Sequence, residues 1–398
     1  MKWAYLIDDF KFILNNTKKI FLYSHGRSAS VFLHSLFDSH KEIITIPIVF
    51  NSYHHYSLCK DMSAEKAVNY LIFNSQLRPI FNKEKTKVYG NFQNIKINTS
   101  IFKHTFKYLW PQMNSPEKFF YALNLCYEKS TENRNTKKIK AILEHTHDLE
   151  LDLKNFNKKK NSRSQFIFTI REPLPNFSSI IKKKKKRHKL FFDIVMLQLM
   201  KKKLIETIII LKNIDIGILV KMEDLHSKNK KLLEEITKKL NISFQDTLLK
   251  STISGQDFYY EDSEKKILGF QKKINNAIDF SFEELKFANN FLKPAYYAFD
   301  YKFPNIKQTK TSTKNSKKKI NIFYYIYADY MFIYNRVKYN KNSFVKKKLL
   351  ILKFMKLLPF ALLLKKYIDL LKINLHKKLF LDKLNELKNQ VNFLAKKK

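Results

Sequence analysis

Short apolar runs alternate with amphipathic segments along most of the chain. A continuous apolar run predicts a strand, because a strand buried on both faces has few polar positions. The candidate strands lie at 20–23, 43–49, 140–145, 165–170 and 216–222. The sequence QFIFTI at 165–170 is the strongest of them, since aromatic and β-branched residues favour strands.

Amphipathic segments follow several of these strands. Residues 31–40 and 228–240 repeat apolar positions at helical spacing. Prolines after Arg171 end one strand, and a helix is predicted to begin near Phe177. Strands that alternate with helices are typical of an α/β fold with a mostly parallel sheet.

The pattern changes after about residue 300. Residues 306–319 are polar and basic, which predicts a linker. Residues 320–398 interleave aromatic, Leu and Ile residues with lysines at helical spacing, which predicts a basic helical appendage. We therefore expect an α/β domain over 1–305, the linker, and the appendage at the C-terminal end.

The loop after the first strand combines small residues with an arginine. A strand, a small-residue loop and a helix in that order bring loop N–H groups and the helix dipole to one point, where a phosphate can bind. The chain has only five glycines, yet Gly26 and Arg27 are adjacent in this loop. Ser28 and Ser30 are expected to cap the helix and to donate to an anion. The alternative is an ordinary capped turn.

A second element lies at the end of the strand 165–170. Arg171 follows that strand directly, where open α/β sheets place ligand contacts, and Ser179 lies eight residues later. Together they can bind a second phosphate. The alternative is a helix-capping ion pair beside a surface serine.

Composition narrows the class of protein. The net charge of +41 predicts attraction to polyanions, but lysine greatly outnumbers arginine, so a specific nucleic-acid partner is not expected. Two cysteines form neither a disulfide framework nor a metal site, which fits a reducing compartment. Acidic residues interrupt the N-terminal apolar stretch, and no uncharged window is long enough to span a bilayer. We expect a cytoplasmic protein, with the inner face of the membrane as the place of any peripheral contact.

The loop and the second element together resemble the sulfotransferase superfamily that uses 3′-phosphoadenylyl sulfate (PAPS), in particular its bacterial carbohydrate-type members. Arg27-Ser28-Ala29-Ser30-Val31 is similar to the RSGTT-like loop for the 5′-phosphosulfate, and Arg171-Glu172-Pro173 with Ser179 is similar to the element for the 3′-phosphate. The segments 32–43 and 221–226 resemble further parts of the family pattern. The resemblance covers roughly residues 18–275.

The resemblance implies a P-loop-type parallel sheet in which strands 20–23 and 166–170 lie side by side. It implies PAPS as sulfuryl donor, no metal, and a glycan, lipid-linked sugar or small metabolite as acceptor. The implied cofactor-binding residues are Gly26, Arg27, Ser28, Ala29, Ser30, Val31, Arg171 and Ser179. Arg27 would also neutralise charge on the leaving phosphate.

The base that takes the acceptor's proton is left open by the sequence. Glu144 is the first candidate, in a segment that stands where many members have EKTP, and His54 is the second. His55, His25 and His145 also remain open. The segment departs from the family pattern, since His147 replaces its proline.

Two other functions fit parts of the sequence. A non-enzymatic protein that binds polyanions or a membrane surface would use the loop only structurally, and would have no need of a second phosphate contact at Arg171. A P-loop kinase is disfavoured because the loop lacks the lysine of GxxxxGK[ST]. The sequence names neither the acceptor nor an oligomeric state.

The appendage generates a testable prediction. Its lysines and apolar stripes fit helices docked on the α/β domain with peripheral contact to an anionic bilayer. Deleting 306–398 should reduce cosedimentation with anionic liposomes at physiological salt, with zwitterionic liposomes as the control. Undiminished binding by the truncated protein would show that the appendage is not the membrane element.

Overall fold

The structure, a computed structural model, describes most of the first 304 residues. The described residues are 4–24, 26–82, 95–132, 134–147, 163–188, 194–213, 217–262, 265–271, 280 and 282–304. Two compact units divide the chain: the first comprises 1–172 and 209–276, and the second 173–208 and 277–398. The predicted linker and appendage lie outside the described residues.

The first unit contains a five-stranded parallel sheet in the order β2-β3-β1-β4-β5. Its strands are β1 (Lys18–Ser24), β2 (Ile43–Val49), β3 (Ala141–Thr146), β4 (Ser164–Ile170) and β5 (Gly217–Lys221). All five strands were predicted from their apolar runs. The α/β class with a parallel sheet and the adjacency of β1 and β4 are confirmed.

Helices of the first unit pack on both faces of this sheet. In the first unit they are α1 (Ala4–Asn16), α2 (Ser30–Phe37), α3 (Ser52–Cys59), α4 (Ala64–Phe73), α5 (Arg78–Asn82), α6 (Thr99–Leu109) and α7 (Pro116–Ser130). The helix α8 (Pro173–His188) belongs to the second unit, and α9 (Ile194–Asn213) spans the boundary between the units. Later in the chain, α10 (Met222–Ser227) and α11 (Asn229–Leu240) belong to the first unit, and α12 (Phe282–Ala298) belongs to the second. Short 3₁₀ turns span Trp110–Gln112, Thr136–Lys138 and Asp246–Leu249, and short antiparallel pairs join β6 (Thr252–Ile253) to β7 (Gln256–Asp257) and β8 (Tyr259–Asp262) to β9 (Lys265–Leu268).

Alternate side chains of the central strand β1 enter two separate hydrophobic clusters. Phe21 and Tyr23 pack in a large aromatic cluster with α1, α3, α6 and α7. Ile20 and Leu22 pack in the other cluster, with α2 and α11. Because both faces are covered, β1 is apolar along its length, which explains why the sequence showed it clearly.

The second unit is described over parts of α8, α9 and α12. Tyr296 of α12 accepts a hydrogen bond at its hydroxyl from the backbone N–H of Leu174, 3.2 Å away, at the start of α8. Phe177 packs against Phe280 with ring centroids 5.5 Å apart. Among the described residues, no helix has the length and apolarity that a membrane span requires.

Arg134 joins three segments at the end of the sheet where β2 and β3 begin. Its Nε and Nη2 donate to the two carboxylate oxygens of Glu128 at 3.0 and 2.7 Å, in a fork geometry. Nη1 and Nη2 also donate to the carbonyls of His40 and Ile43, at 2.8 and 2.9 Å. The guanidinium therefore fixes the entry into β2 against α7.

Removing this guanidinium should destabilise the fold. In Arg134→Ala the buried carboxylate of Glu128 loses its partner, which costs about 3 kcal/mol or more in the free energy of unfolding. Urea denaturation measures this loss. Lys140→Ala is the control, because Lys140 is exposed and its ion pair with the half-buried Glu42 contributes at most about 1 kcal/mol. Equal urea midpoints for the two variants would contradict the prediction.

Candidate functional site

The loop between β1 and α2 has an unusual backbone. Gly26, Arg27 and Ala29 all have positive φ, at 90°, 57° and 63°. Arg27 and Ala29 carry a Cβ atom, so this left-handed conformation costs energy that glycine would not incur. Successive backbone N–H groups in a turn with left-handed residues can face a common centre and form an anion-binding concavity. His25 lies outside the described residues.

The amino end of α2 is not capped by a side chain. Ala29 occupies the N-cap position, and it offers no side-chain oxygen to the first turn. The prediction that Ser28 and Ser30 cap this helix is therefore wrong. The backbone N–H groups of the first turn have no intrahelical acceptor, and the helix dipole adds a partial positive charge there. This end of α2 favours an anion.

The loop hydroxyls instead hold the loop in place. Ser24 Oγ and Ser30 Oγ lie 2.8 Å apart and bridge the two ends of the loop. Ser28 Oγ lies 2.9 Å from Thr169 Oγ1 of β4, and both side chains are buried. The hydroxyl of Ser28 thus bonds to the neighbouring strand, and its role as a ligand of the anion stays a prediction.

Arg171 lies at the same edge of the sheet. Because Ser28 touches Thr169, the Cα atoms of Arg27 and Arg171 are within about 19 Å of each other, which two arginine side chains and a bisphosphate can span. Arg171 is buried, whereas Arg27 is half-buried. Ser179 lies in α8, in the second unit.

An aromatic surface lies beside Arg171. The ring of Phe32, in the first turn of α2, stacks on His226 at 5.0 Å with an angle of 9°, and meets Phe270 edge-on at 5.2 Å. Burial lowers the pKa of His226, and the charge of Arg171 lowers it further, against the opposing effect of Glu223. His226 is therefore a flat, neutral ring near Arg171. The sequence analysis missed this surface, since its rings come from three distant segments.

Glu144 is buried in β3, beside Phe21 of β1. Burial raises the pKa of its carboxyl to about 8, although the backbone N–H of Ser52 donates to Oε1 at 3.1 Å and opposes the rise. The carboxyl is therefore mostly protonated at neutral pH. It becomes an available base only as the pH approaches its pKa.

The histidine candidates lie in different environments. His54 is exposed on α3. Burial lowers the pKa of His55 to about 4, and its Nδ1 lies 2.9 Å from the hydroxyl of Tyr70. His145 is fully buried, and burial holds its pKa well below the usual range. The two buried rings are thus neutral near pH 7, and of these three only His54 is exposed.

His147 contacts the loop directly. Its Nδ1 lies 2.7 Å from the carbonyl oxygen of Ser24 and 3.2 Å from Ser24 Oγ. A carbonyl only accepts, so Nδ1 carries the proton and donates. The sequence analysis noted His147 only as a replacement for a proline, and nothing in its local pattern indicated this contact. Among the described residues no group of three His, Cys, Asp or Glu side chains is placed to hold a metal.

No protein-family model and no curated protein matches the chain. Among solved structures, it is similar to the sulfotransferase domain from the curacin biosynthetic pathway, with a TM-score of 0.42 and 16% identity over 72% of this chain and 99% of that chain. It is similar to the sulfotransferase domain from the Synechococcus PCC 7002 olefin synthase, with a TM-score of 0.40 and 15% identity over 73% and 97%. It is also similar to retinol dehydratase in a complex with retinol and PAP, with a TM-score of 0.33 and 11% identity over 75% and 88%.

Two of these three neighbours are named as sulfotransferase domains, the superfamily that the loop and the Arg171 element resemble. The fold assignment rests on the sheet order and the loop of this chain.

The buried carboxyl of Glu144 should link stability to pH. With a pKa of about 8 in the folded chain and about 4.3 when unfolded, it stabilises the fold fully below pH 4.3, and this stabilisation is lost as the pH rises to about 8. In Glu144→Gln that loss disappears, so the variant's urea midpoint should rise relative to wild type between pH 4.5 and 8.5. The buried histidines have lowered pKa values, so they make stability rise with pH, but they do so equally in the wild type and in the variant. Parallel pH profiles would contradict the raised pKa.

Proposed function

We propose that this protein is a sulfotransferase that moves a sulfuryl group from PAPS to a hydroxyl or amine of a glycan, lipid-linked sugar or small metabolite. The observation that carries the proposal is the left-handed loop at the uncapped end of α2, joined through Ser28 and Thr169 to the strand that leads to Arg171. This arrangement offers two cationic groups and several N–H donors to one elongated anion.

The reaction is an in-line displacement at sulfur. The acceptor oxygen or nitrogen forms a bond to sulfur, and the bond between sulfur and the 5′-phosphate oxygen breaks. Adenosine 3′,5′-bisphosphate leaves with that electron pair, and the acceptor's proton passes to a base. As in phosphoryl transfer, the protein acts mainly by positioning and by stabilising charge.

The loop is proposed to stabilise the leaving phosphate. Its oxygens gain negative charge as the bond to sulfur breaks, and Arg27 with the N–H groups of the loop and of the first turn of α2 would compensate that charge. These donors are fixed before the substrate binds. Gly26, Ala29 and Val31 contribute backbone rather than side-chain donors.

The nucleotide is proposed to extend from the loop toward Arg171. Arg171 would bind the 3′-phosphate, which distinguishes PAPS from ATP, and the part of Ser179 in this contact stays a prediction from the sequence. The stacked pair of Phe32 and the neutral ring of His226, with Phe270 edge-on to Phe32, is proposed as the aromatic contact for the adenine.

Glu144 is the proposed base, and His54 the alternative. The raised pKa of Glu144 suits a base that works near neutral to mildly alkaline pH, because a carboxylate with an ordinary pKa would be a much weaker base. The proton would pass from the acceptor to a carboxylate already held by the N–H of Ser52.

Calorimetry with adenosine 3′,5′-bisphosphate, AMP and ATP tests the proposal. We expect Arg171→Ala to weaken binding of the bisphosphate by about ten- to a hundredfold, and to weaken AMP much less, because only the former has a 3′-phosphate. Arg163→Ala is a matched control, since Arg163 precedes the same strand at its opposite end. Equal losses for both nucleotides would mean that Arg171 is structural.

Turnover distinguishes the enzyme from the non-enzymatic alternative. A polyanion- or membrane-binding protein would bind all three nucleotides according to charge alone and would not consume PAPS. A selective bisphosphate complex with release of the sulfuryl group to an added acceptor supports the enzyme.

A further inference from the structure

We infer that His147 and Thr169 are positioning residues that clamp the anion-binding loop from the two strands beside β1. The inference rests on the proposed function, since it concerns the same loop, but it assigns roles to two residues for which the family resemblance implies none. Neither side chain needs to touch the substrate. Each acts through a serine of the loop.

The first half of the clamp lies beyond β3. His147 Nδ1–H donates to the Ser24 carbonyl, at the last residue of β1, where the chain leaves the sheet. Ser24 Oγ in turn lies 2.8 Å from Ser30 Oγ and accepts from the N–H of Gly26 at 3.4 Å. The imidazole of His147 therefore holds Ser24 in place, and Ser24 in turn connects the two ends of the loop through its contact with Ser30.

The second half of the clamp lies in β4. Thr169 stands opposite Ser24 in the parallel register of β1 and β4, and its hydroxyl bonds to Ser28. Ser28 lies between Arg27 and Ala29, each of which has a Cβ and a positive φ. A buried hydrogen bond at this position opposes the relaxation of both neighbours.

The strained backbone explains why such a clamp is required. Glycine at 29 would adopt its φ without cost, whereas Ala29 and Arg27 hold a left-handed conformation that an unrestrained loop would leave. Residues in such conformations persist only when the surroundings over-determine them. Hydrogen bonds from two different strands provide that restraint.

Paired variants separate the hydrogen bonds from other effects. His147→Ala removes the donor, while His147→Asn keeps an amide N–H close to the position of Nδ1. Thr169→Val removes the hydroxyl and Thr169→Ser keeps it. His104→Ala is the control, since His104 is an exposed histidine on α6.

Two measurements are made on the full-length chain. Hydrogen–deuterium exchange of the peptide covering 20–32 reports whether the loop is held in the free protein. Calorimetry with inorganic pyrophosphate, and separately with adenosine 3′,5′-bisphosphate, reports anion affinity. We expect His147→Ala and Thr169→Val to accelerate exchange and to weaken pyrophosphate binding about two- to tenfold, which is the effect of one hydrogen bond. The conservative variants His147→Asn and Thr169→Ser should restore both.

The outcomes separate the clamp from the proposed function. Unchanged exchange in His147→Ala, or the same loss in His147→Asn as in His147→Ala, would overturn the clamp. This holds even if Thr169→Val fails to fold, because His147 is exposed and its replacement leaves the core intact. A wild-type protein that binds no bisphosphate, but whose loop exchange responds as expected, would refute the proposed function and leave the clamp standing.

Discussion

Parallel pairing of β1 with β3 on one side and with β4 on the other brings three strand ends to one edge of the sheet. The loop begins at the end of β1, His147 follows β3, and Arg171 follows β4. Shifting either register by one residue would turn the side chains of that strand to the opposite face. The geometry of the site therefore depends on two ladders of backbone hydrogen bonds and on the apolar faces that fix their registers.

The charge of the site differs from that of the whole chain. The chain carries +41, mostly as lysine, yet several titratable groups near the loop are neutral, because burial raises the pKa of Glu144 and lowers those of His34 and His145. The positive charge of the proposed anion site would then come from Arg27, from Arg171 and from backbone N–H groups. Such fixed donors need no reorganisation when an anion arrives.

The sequence predicted the five strands, the loop and the position of Arg171, because each is a local pattern within a few residues. It could not predict the partners of Ser28, the contacts of His147 or the guanidinium of Arg134 between α7 and β2, because these join residues distant in the chain. The prediction that Ser28 and Ser30 cap α2 was wrong for a related reason. A serine near a helix start caps it by local propensity, but here Thr169 and Ser24 bind the two hydroxyls.

The central position of β1 also affects how the chain folds during synthesis. β1 leaves the ribosome well before its two partner strands, whose paired residues begin at Ala141 and Ser164. At typical elongation rates, roughly 7 to 30 s pass before β4 can pair with it. During that interval both edges of an apolar strand lack their native neighbours, and such unpaired edges are prone to aggregation.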